Sequence, residues 1–486
     1  MNKYKFEFIV GSQELYGDKI LSKVNINALS IVSYFNENNL VPCEIKFNSC
    51  VTSAAEITAV IERANNDPCC AGVITWMHTF SPSKMWVAGL SRLKKPYLHI
   101  NTQFRREIPW DGIDMEYMNL NQSAHGDREH GFIAARMRLP RRVIAGFWQD
   151  GDFLRELGDW QRSAAGALES GNLRVLRISD NMRDVAVTDG DRVGAQIKLG
   201  WEIEYCPMGD LLSVINDVTE PQIHDKLEEY GKYYDLNTND TEAVWEQAKM
   251  EIGIQTLLET GDFDAFHTNF QDLHGLRQLP GLACQNLMRL GYGFAGEGDW
   301  KTAALTALIK KMSFGLEGGA SFMEDYTYHF EKGNEMILGA HMLEICPSIA
   351  AKKPRIEAHP LSIGGKEPPA RLVFDGKAGK AIVVSLVDMG GRLRMIANDI
   401  KCVEPQFDMP KLPVPRVLWK PAPSLKTSAE CWILAGGSHH SVLAYGLTAR
   451  HMRDLAEIWG VEFIHIGAAS TYDLIKRKLE LNDRIF

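Results

Sequence analysis

The 486-residue chain has no Cys-x-x-Cys pair, no run of about 18 apolar residues, no basic cluster, and no long internal repeat or low-complexity tract. Each absence removes a class of protein. The nine cysteines (Cys43, Cys50, Cys69, Cys70, Cys206, Cys284, Cys346, Cys402, Cys431) are odd in number and scattered, which fits neither a disulfide framework nor a zinc ribbon. Without a long apolar run no membrane span is expected, and residues 1–5 lead into a short strand rather than a secretory leader. The expectation is a reduced, cytoplasmic protein. A net charge of -9 and a pI near 5.9, with no Lys/Arg-rich amphipathic face, argue against nucleic acid or an anionic membrane as partner. A small neutral or metal-bound ligand suits the chain better. No Gly-x-Gly-x-x-Gly follows the first strand, so a dinucleotide is not indicated.

What is present is an ordinary globular composition, 45% hydrophobic and 24% charged, in a chain too long for one core. Residues 4–10 read as a strand ending at Gly11, and apolar residues at 20, 21, 24, 28, 31, 32 and 35 form the stripe of an amphipathic helix. The pattern recurs: residues 43–47 as a strand, a helix from Ser53 with Glu56 at capping-box spacing, then the apolar strand 71–77. Alternating strands and helices imply a parallel sheet covered on both faces, with ligands at the carboxyl ends of its strands. A second such series begins at residues 173–178 and runs through strands at 264–270 and 292–295. After residue 320 short alternating strands take over, at 371–374, 381–387 and 392–396, followed by a Pro-rich connector, 405–423, that resists regular structure, and a strand at 432–435. The expected fold is α/β: two successive Rossmann-like domains with parallel sheets, over 1–171 and 172–318, then a β-rich, barrel-like domain over 319–486.

Several strand ends carry unusual side chains. Gln13, Leu15 and Tyr16 follow the first strand, His78 to Pro82 the third, and Met118 to Gly126 lead into a helix; any of these is also an ordinary turn or cap. Glu297 sits between a strand and a helix N-terminus, where the dipole stabilises an anion by about 0.3 to 1 kcal/mol. The runs Ser321–Phe330 and Glu335–His341, joined by Glu331-Lys332-Gly333-Asn334, read as a β-hairpin. If its turn centres on Lys332-Gly333 and it has no bulge, Glu324 and His341 stand directly opposite, with Cβ atoms about 4.5 to 5.5 Å apart. A carboxylate and an imidazole so held can share a metal ion or form a plain surface pair. Gly436 and Gly437 precede the adjacent imidazoles His439 and His440.

With Glu297, Glu324, His341 and one of His439 and His440 in view, the chain closely resembles the bacterial L-arabinose isomerase family. The likeness runs over essentially the whole length in long blocks: GSQELYG, HTFSPSKMW, DNMRDVAVTDGD, DLHGLRQLPGL, GYGFAGEGDWKTAAL, SFMEDYTYHFEKGN and HMLEICPSIA. Gln271 stands where the resemblance leads one to expect an acid, and the last thirty or so residues match poorly.

The resemblance implies that Glu297, Glu324, His341 and His440 ligate one divalent ion per subunit, usually Mn²⁺, with Co²⁺ or Mg²⁺ as substitutes. Two carboxylates and two imidazoles with open positions suit that ion better than a closed, thiol-rich zinc site. It also implies that Glu297 and Glu324 are the acid/base pair of an aldose–ketose isomerase converting L-arabinose to L-ribulose, and D-galactose to D-tagatose, through a cis-enediol. Gln13, Leu15, Tyr16, Phe80, Gln122 and His125 would line the sugar pocket from a neighbouring subunit of a homohexamer, and Met182 and Phe270 from the metal-bearing subunit. A metal-free sugar-binding protein and a two-carboxylate glycosidase are the competing classes. The glycosidase would not require His341 and His440 to converge on the acids.

Overall fold

The computed structural model describes residues 3–361 and 365–486, which form two compact units, Met1–Leu168 and Glu169–Phe486. In the first unit the strands β1 (Lys5–Val10), β2 (Glu44–Lys46), β3 (Cys70–Trp76), β4 (Tyr97–Asn101) and β5 (Arg142–Ala145) make one sheet, ordered β2-β1-β3-β4-β5 and parallel throughout. Every residue of β3 is buried, as expected of a central parallel strand covered on both faces. The helix Gly17–Asn36 buries Ile20, Val24, Ala28, Ile31, Val32 and Phe35, six of the seven positions of the expected stripe, with Leu21 half-buried. Ser53 and Glu56 form the reciprocal capping box at the start of the helix Ala54–Asn66.

The second unit holds β6 (Arg174–Ile178), β7 (Glu202–Cys206), β8 (Asp235–Leu236), β9 (Ala265–His267) and β10 (Gly293–Ala295); four of them form a parallel sheet ordered β10-β9-β6-β7. Beyond these come β11 (Ala320–His329), β12 (Met336–Ala340), β13 (Arg355–Ala358), β14 (Ala370–Val373), β15 (Gly379–Asp388), β16 (Leu393–Val403), β17 (Arg416–Pro421), β18 (His440–Tyr445) and β19 (Glu462–Ile466). Six of these close into an antiparallel barrel, β15-β18-β11-β12-β17-β16, because β15 also pairs β16. The eleven residues of β16 serve three neighbours: β15, β17 toward its end, and β19 in parallel near its start. Strands β8, β13 and β14 make a separate small sheet.

Three local expectations are corrected. The Pro-rich stretch 405–423 contains β17, a full barrel strand whose Trp419 is buried. The strand expected at 432–435 is instead the end of the helix Leu425–Leu434 and its C-cap Ala435; Ser424 caps the other end, accepting from the Thr427 amide, and Gly436 at φ +76° follows Ala435. A run of five apolar residues fits either period, so the cap decides. Finally, the hairpin is not regular. His329, Tyr328 and Thr327 pair with Met336, Ile337 and Leu338 in the expected register, but a bulge between Asp325 and Thr327 leaves Tyr326 over. Beyond it Glu324 opposes Ala340, one residue short of His341.

Gly339 lets β12 and β17 pack this tightly. A Cβ there would lie 2.0 Å from Trp419 Cζ3 and 2.9 Å from Met323 Sδ. Gly339→Ala should therefore cost about 1–3 kcal/mol of stability through overpacking, seen as a lower thermal unfolding temperature; an alanine variant as stable as the parent would contradict this packing.

Candidate functional site

In the second unit Glu297 lies in the loop between β10 and the helix Trp300–Met312. It adopts φ +57°, the left-handed region, followed by Gly298 at φ +81°. Such a conformation costs a non-glycine residue about 1–2 kcal/mol and persists only where neighbours impose it. Here they do: the Met182 amide donates to the Glu297 carbonyl (3.0 Å), the Gly298 amide donates to the Thr268 carbonyl (3.0 Å), and a Cβ on Gly298 would strike Asn181 Cα at 2.4 Å.

Glu324 comes from β11, directly across from His440 on β18. His341 follows the last residue of β12. The two imidazoles are held alike. His440 Nδ1 lies 3.1 Å from Asp299 Oδ2, and His341 Nδ1 is bonded to Glu344. Their Nε2 atoms turn toward the other acids, His440 Nε2 3.8 Å from Glu297 Oε2 and His341 Nε2 4.0 Å from Glu324 Oε2. The Phe322 ring meets both imidazoles edge-on, at 5.0 and 5.1 Å between centroids. Gly296 makes room for His341, whose Cε1 would lie 3.0 Å from an added Cβ.

Electrostatics bind the group further. Burial alone would raise the Glu297 carboxyl, but the His439 hydrogen bond at 3.2 Å, with His440 and His341 nearby, holds it below its usual range. Burial would likewise lower His341, yet the Glu344, Glu324 and Glu297 carboxylates push it up to about 9. Asp299 is buried, which works against its charge, but Lys301 and His440 keep it well below the ordinary carboxylate range.

This arrangement fits a divalent cation. Among the described residues His440 Nε2 is buried and has no hydrogen-bond partner, while its Nδ1 bond to a carboxylate fixes the tautomer that leaves Nε2 free to ligate. Ligand atoms of Glu297, His439 and His440 lie within 4.8 Å of one another. A cleft opens beside them, with Phe270, Leu273 and Leu279 on its apolar wall and Glu297, Glu324 and His341 on its polar one. Phe270 is thus in the cleft, whereas Met182 reaches the group through its backbone. Gln271 accepts from the Arg183 amide at 2.9 Å.

In the first unit another expected set comes together. Gln122 Nε2 donates to the Tyr16 hydroxyl (2.9 Å), Gln122 Oε1 and His125 Nδ1 are 3.0 Å apart, and the His125 ring stacks on Phe80 at 4.6 Å. Leu15 projects from the same turn as Tyr16 and is 85% exposed, and Gln13 precedes that turn without capping it. His439 was one of the two candidate histidines; Asp299, Glu344 and Tyr326, which also lines the cleft, were not singled out from sequence. The one signal was spacing: Glu344 falls three residues after His341, and Asp299 two after Glu297.

Three family models cover the chain nearly end to end: the L-arabinose isomerase N-terminal domain matches residues 1–172, the central domain 174–315 and the C-terminal domain 319–462. This chain belongs to the L-arabinose isomerase family. The L-arabinose isomerase of Geobacillus stearothermophilus is 53% identical over 489 residues, covering 99% of this chain and 98% of the relative. Those of Anoxybacillus flavithermus and Thermotoga sp. (strain RQ2) are 54% and 51% identical, covering 99% of this chain and 97% and 98% of the relatives.

Behind the first-unit set, His78 is fully buried, stacked on Trp76 at 4.5 Å, with Nε2 2.8 Å from Asn27 Nδ2 and Nδ1 unpartnered among the described residues. Burial lowers it to about 3. Between that value and the unfolded value of about 6.5 the unfolded chain binds a proton that the folded chain refuses, so stability falls as pH drops through this window, by about 1.4 kcal/mol per unit from this group. In His78→Asn the unfolding temperature should decline less steeply between pH 6.5 and 4. An unchanged slope would mean that His78 is not held neutral.

Proposed function

We propose that this chain is a metal-dependent aldose–ketose isomerase interconverting L-arabinose and L-ribulose, and D-galactose and D-tagatose by the same route. The observation that carries the reading is that Glu297, Glu324 and His341 line one cleft while buried His440 faces Glu297 from behind it, each imidazole turning Nε2 toward one of the two glutamates, in a chain of this family. These four residues would hold the ion, Mn²⁺ by resemblance. A bound divalent ion supplies Lewis-acid polarisation of the sugar's O1 and O2.

The protein's own groups do the rest. Glu297 and Glu324 approach the metal group from different elements, so one can take the C2 proton of the aldose while the other serves the oxygens, passing through a cis-enediol to the ketose. Asp299 and Glu344 hold the imidazoles in place. The apolar wall of Phe270, Leu273 and Leu279 limits water around the reacting carbons. Among the described residues no cysteine forms a disulfide, which suits the reducing cytoplasm.

Chelation should abolish isomerisation, and added Mn²⁺ should restore it. His440→Ala should lower bound metal and activity together; full metal content and activity in that variant would shift the assignment to His439. Glu324→Gln keeps an oxygen ligand but loses the basic oxygen, so turnover should fall by about 10² or more while metal content falls less. Near-normal turnover would remove Glu324 as an acid/base. Complete transfer of deuterium from C2 of the aldose to C1 of the ketose, without solvent exchange, would favour a hydride shift over the enediol.

We further propose a homohexamer in which Tyr16, Phe80, Gln122 and His125 of one subunit complete a neighbour's site. His125→Ala and Glu324→Gln proteins, each impaired at sub-saturating sugar, should regain activity well above either parent when dissociated and reassembled together. No recovery despite proven subunit exchange would refute sharing.

A further inference from the structure

The first turn of the helix Ser123–Arg136 carries His125 and is preceded by Gln122; Asp127 follows at once, facing inward and 5% exposed. Its Oδ1 accepts from the Met77 amide (2.9 Å), just past β3, and its Oδ2 accepts from Asn101 Nδ2 (2.7 Å), at the end of β4. His99 Nε2, also on β4, lies 3.2 Å from Oδ1. One buried acid therefore bridges the carboxyl ends of two adjacent strands and the helix that starts between them. The contact is close everywhere. The Gln122 amide donates to the His78 carbonyl (2.9 Å), Trp76 Nε1 donates to Ser123 Oγ (3.2 Å), and a Cβ on Gly126 would lie 2.5 Å from the Thr79 carbonyl oxygen.

The order Asp127, His99, Thr75, with His99 Nδ1 2.8 Å from Thr75 Oγ1, resembles a nucleophilic relay. Thr75 is wholly buried and His99 nearly so, so no substrate reaches this hydroxyl.

We propose that Asp127 is the positioning residue of the surface formed by Tyr16, Phe80, Gln122 and His125: it fixes the helix start against β3 and β4 and so sets where the Gln122 amide and the His125 imidazole meet a sugar. This rests on the reading of that surface as sugar-binding. Asp127 itself touches no substrate. Without its carboxylate, the Met77 amide and the Asn101 side chain lose their buried acceptor, and the helix start is free to shift toward a new one. Displaced Gln122 and His125 weaken ground-state and transition-state binding together, which raises KM and leaves kcat nearly intact.

The test is steady-state kinetics of the full-length, metal-loaded protein with L-arabinose, alongside metal content and unfolding temperature. Asp127→Ala should raise KM about tenfold with kcat within about threefold and metal content unchanged. Asp127→Asn keeps an oxygen for the Met77 amide, and the Asn101 amide can turn to accept its NH₂, so KM should return to within about threefold of the parent. A folded Asp127→Ala protein with a lowered unfolding temperature but parental KM would overturn the proposal, leaving only a structural role. If Asp127→Ala does not fold, Asn101→Ala removes the partner of the acid's Oδ2 and should raise KM about threefold; parental KM there overturns the proposal too. His125→Ala separates the two levels. If it changes neither KM nor kcat, the sugar-binding reading fails and this inference with it, whereas a damaged His125→Ala beside an Asp127→Ala of parental KM rejects the positioning role alone.

Discussion

The position of β11 between β18 and β12 is the constraint on which the candidate site depends. Hydrogen-bonded along both edges, β11 sets Glu324 opposite His440 on one side and opposite Ala340 on the other, so that His341 arrives one residue later. Because β15 pairs β16, none of the six barrel strands is left with a free edge along which to slip. A one-residue slip of β11 would turn Glu324 to the opposite face and dismantle the group. Glu297 meets these residues from another sheet, at the end of β10, and its left-handed backbone is what the loop needs to bring it there.

Around this geometry each imidazole is placed between acids with separate tasks. Asp299 and Glu344 fix the rings through Nδ1, and Glu297 and Glu324 face the Nε2 side. Asp299 does more than orient His440: its oxygens also accept from the Thr302 amide and hydroxyl, capping the helix Trp300–Met312. Lys301, 3.6 Å from Asp299, donates to the Thr188 and Asp189 carbonyls. One buried carboxylate thus links a helix terminus, a fixed loop and an imidazole, and a shift in any of these would move His440. Such preorganisation keeps charged groups from relaxing at the moment of reaction.

Much of the scaffold was legible because its signals are local. Strand and helix alternate audibly through the first 310 residues, and Ser53 with Glu56 announces a helix start. The barrel was harder, since its strands pair across long separations and β17 lies in a stretch whose prolines read as loop. The Cys431–Ala435 run carried no period of its own, and the Ser424 cap outweighed its apolar look. The bulge at Tyr326 left no mark on the alternation, so Glu324 and His341 are close for a different reason than a regular hairpin would give: the strand has ended and His341 turns to Glu344. Asp299 and Glu344 were overlooked because an acid that orients an imidazole looks, in sequence, like a cap or a surface residue. The assignment of Gln122 and His125 to a sugar pocket came from family resemblance, not from their spacing.

The central claim is that His341 and His440, through Nε2, together with Glu297 and Glu324, enclose one divalent ion. Anomalous diffraction from Mn²⁺-loaded crystals tests it most directly. The account predicts a single peak per chain in this group, about 2.0–2.3 Å from both Nε2 atoms and from an oxygen of each glutamate. A peak ligated by His439 in place of His440, or ordered Mn²⁺ bound only elsewhere, would contradict it.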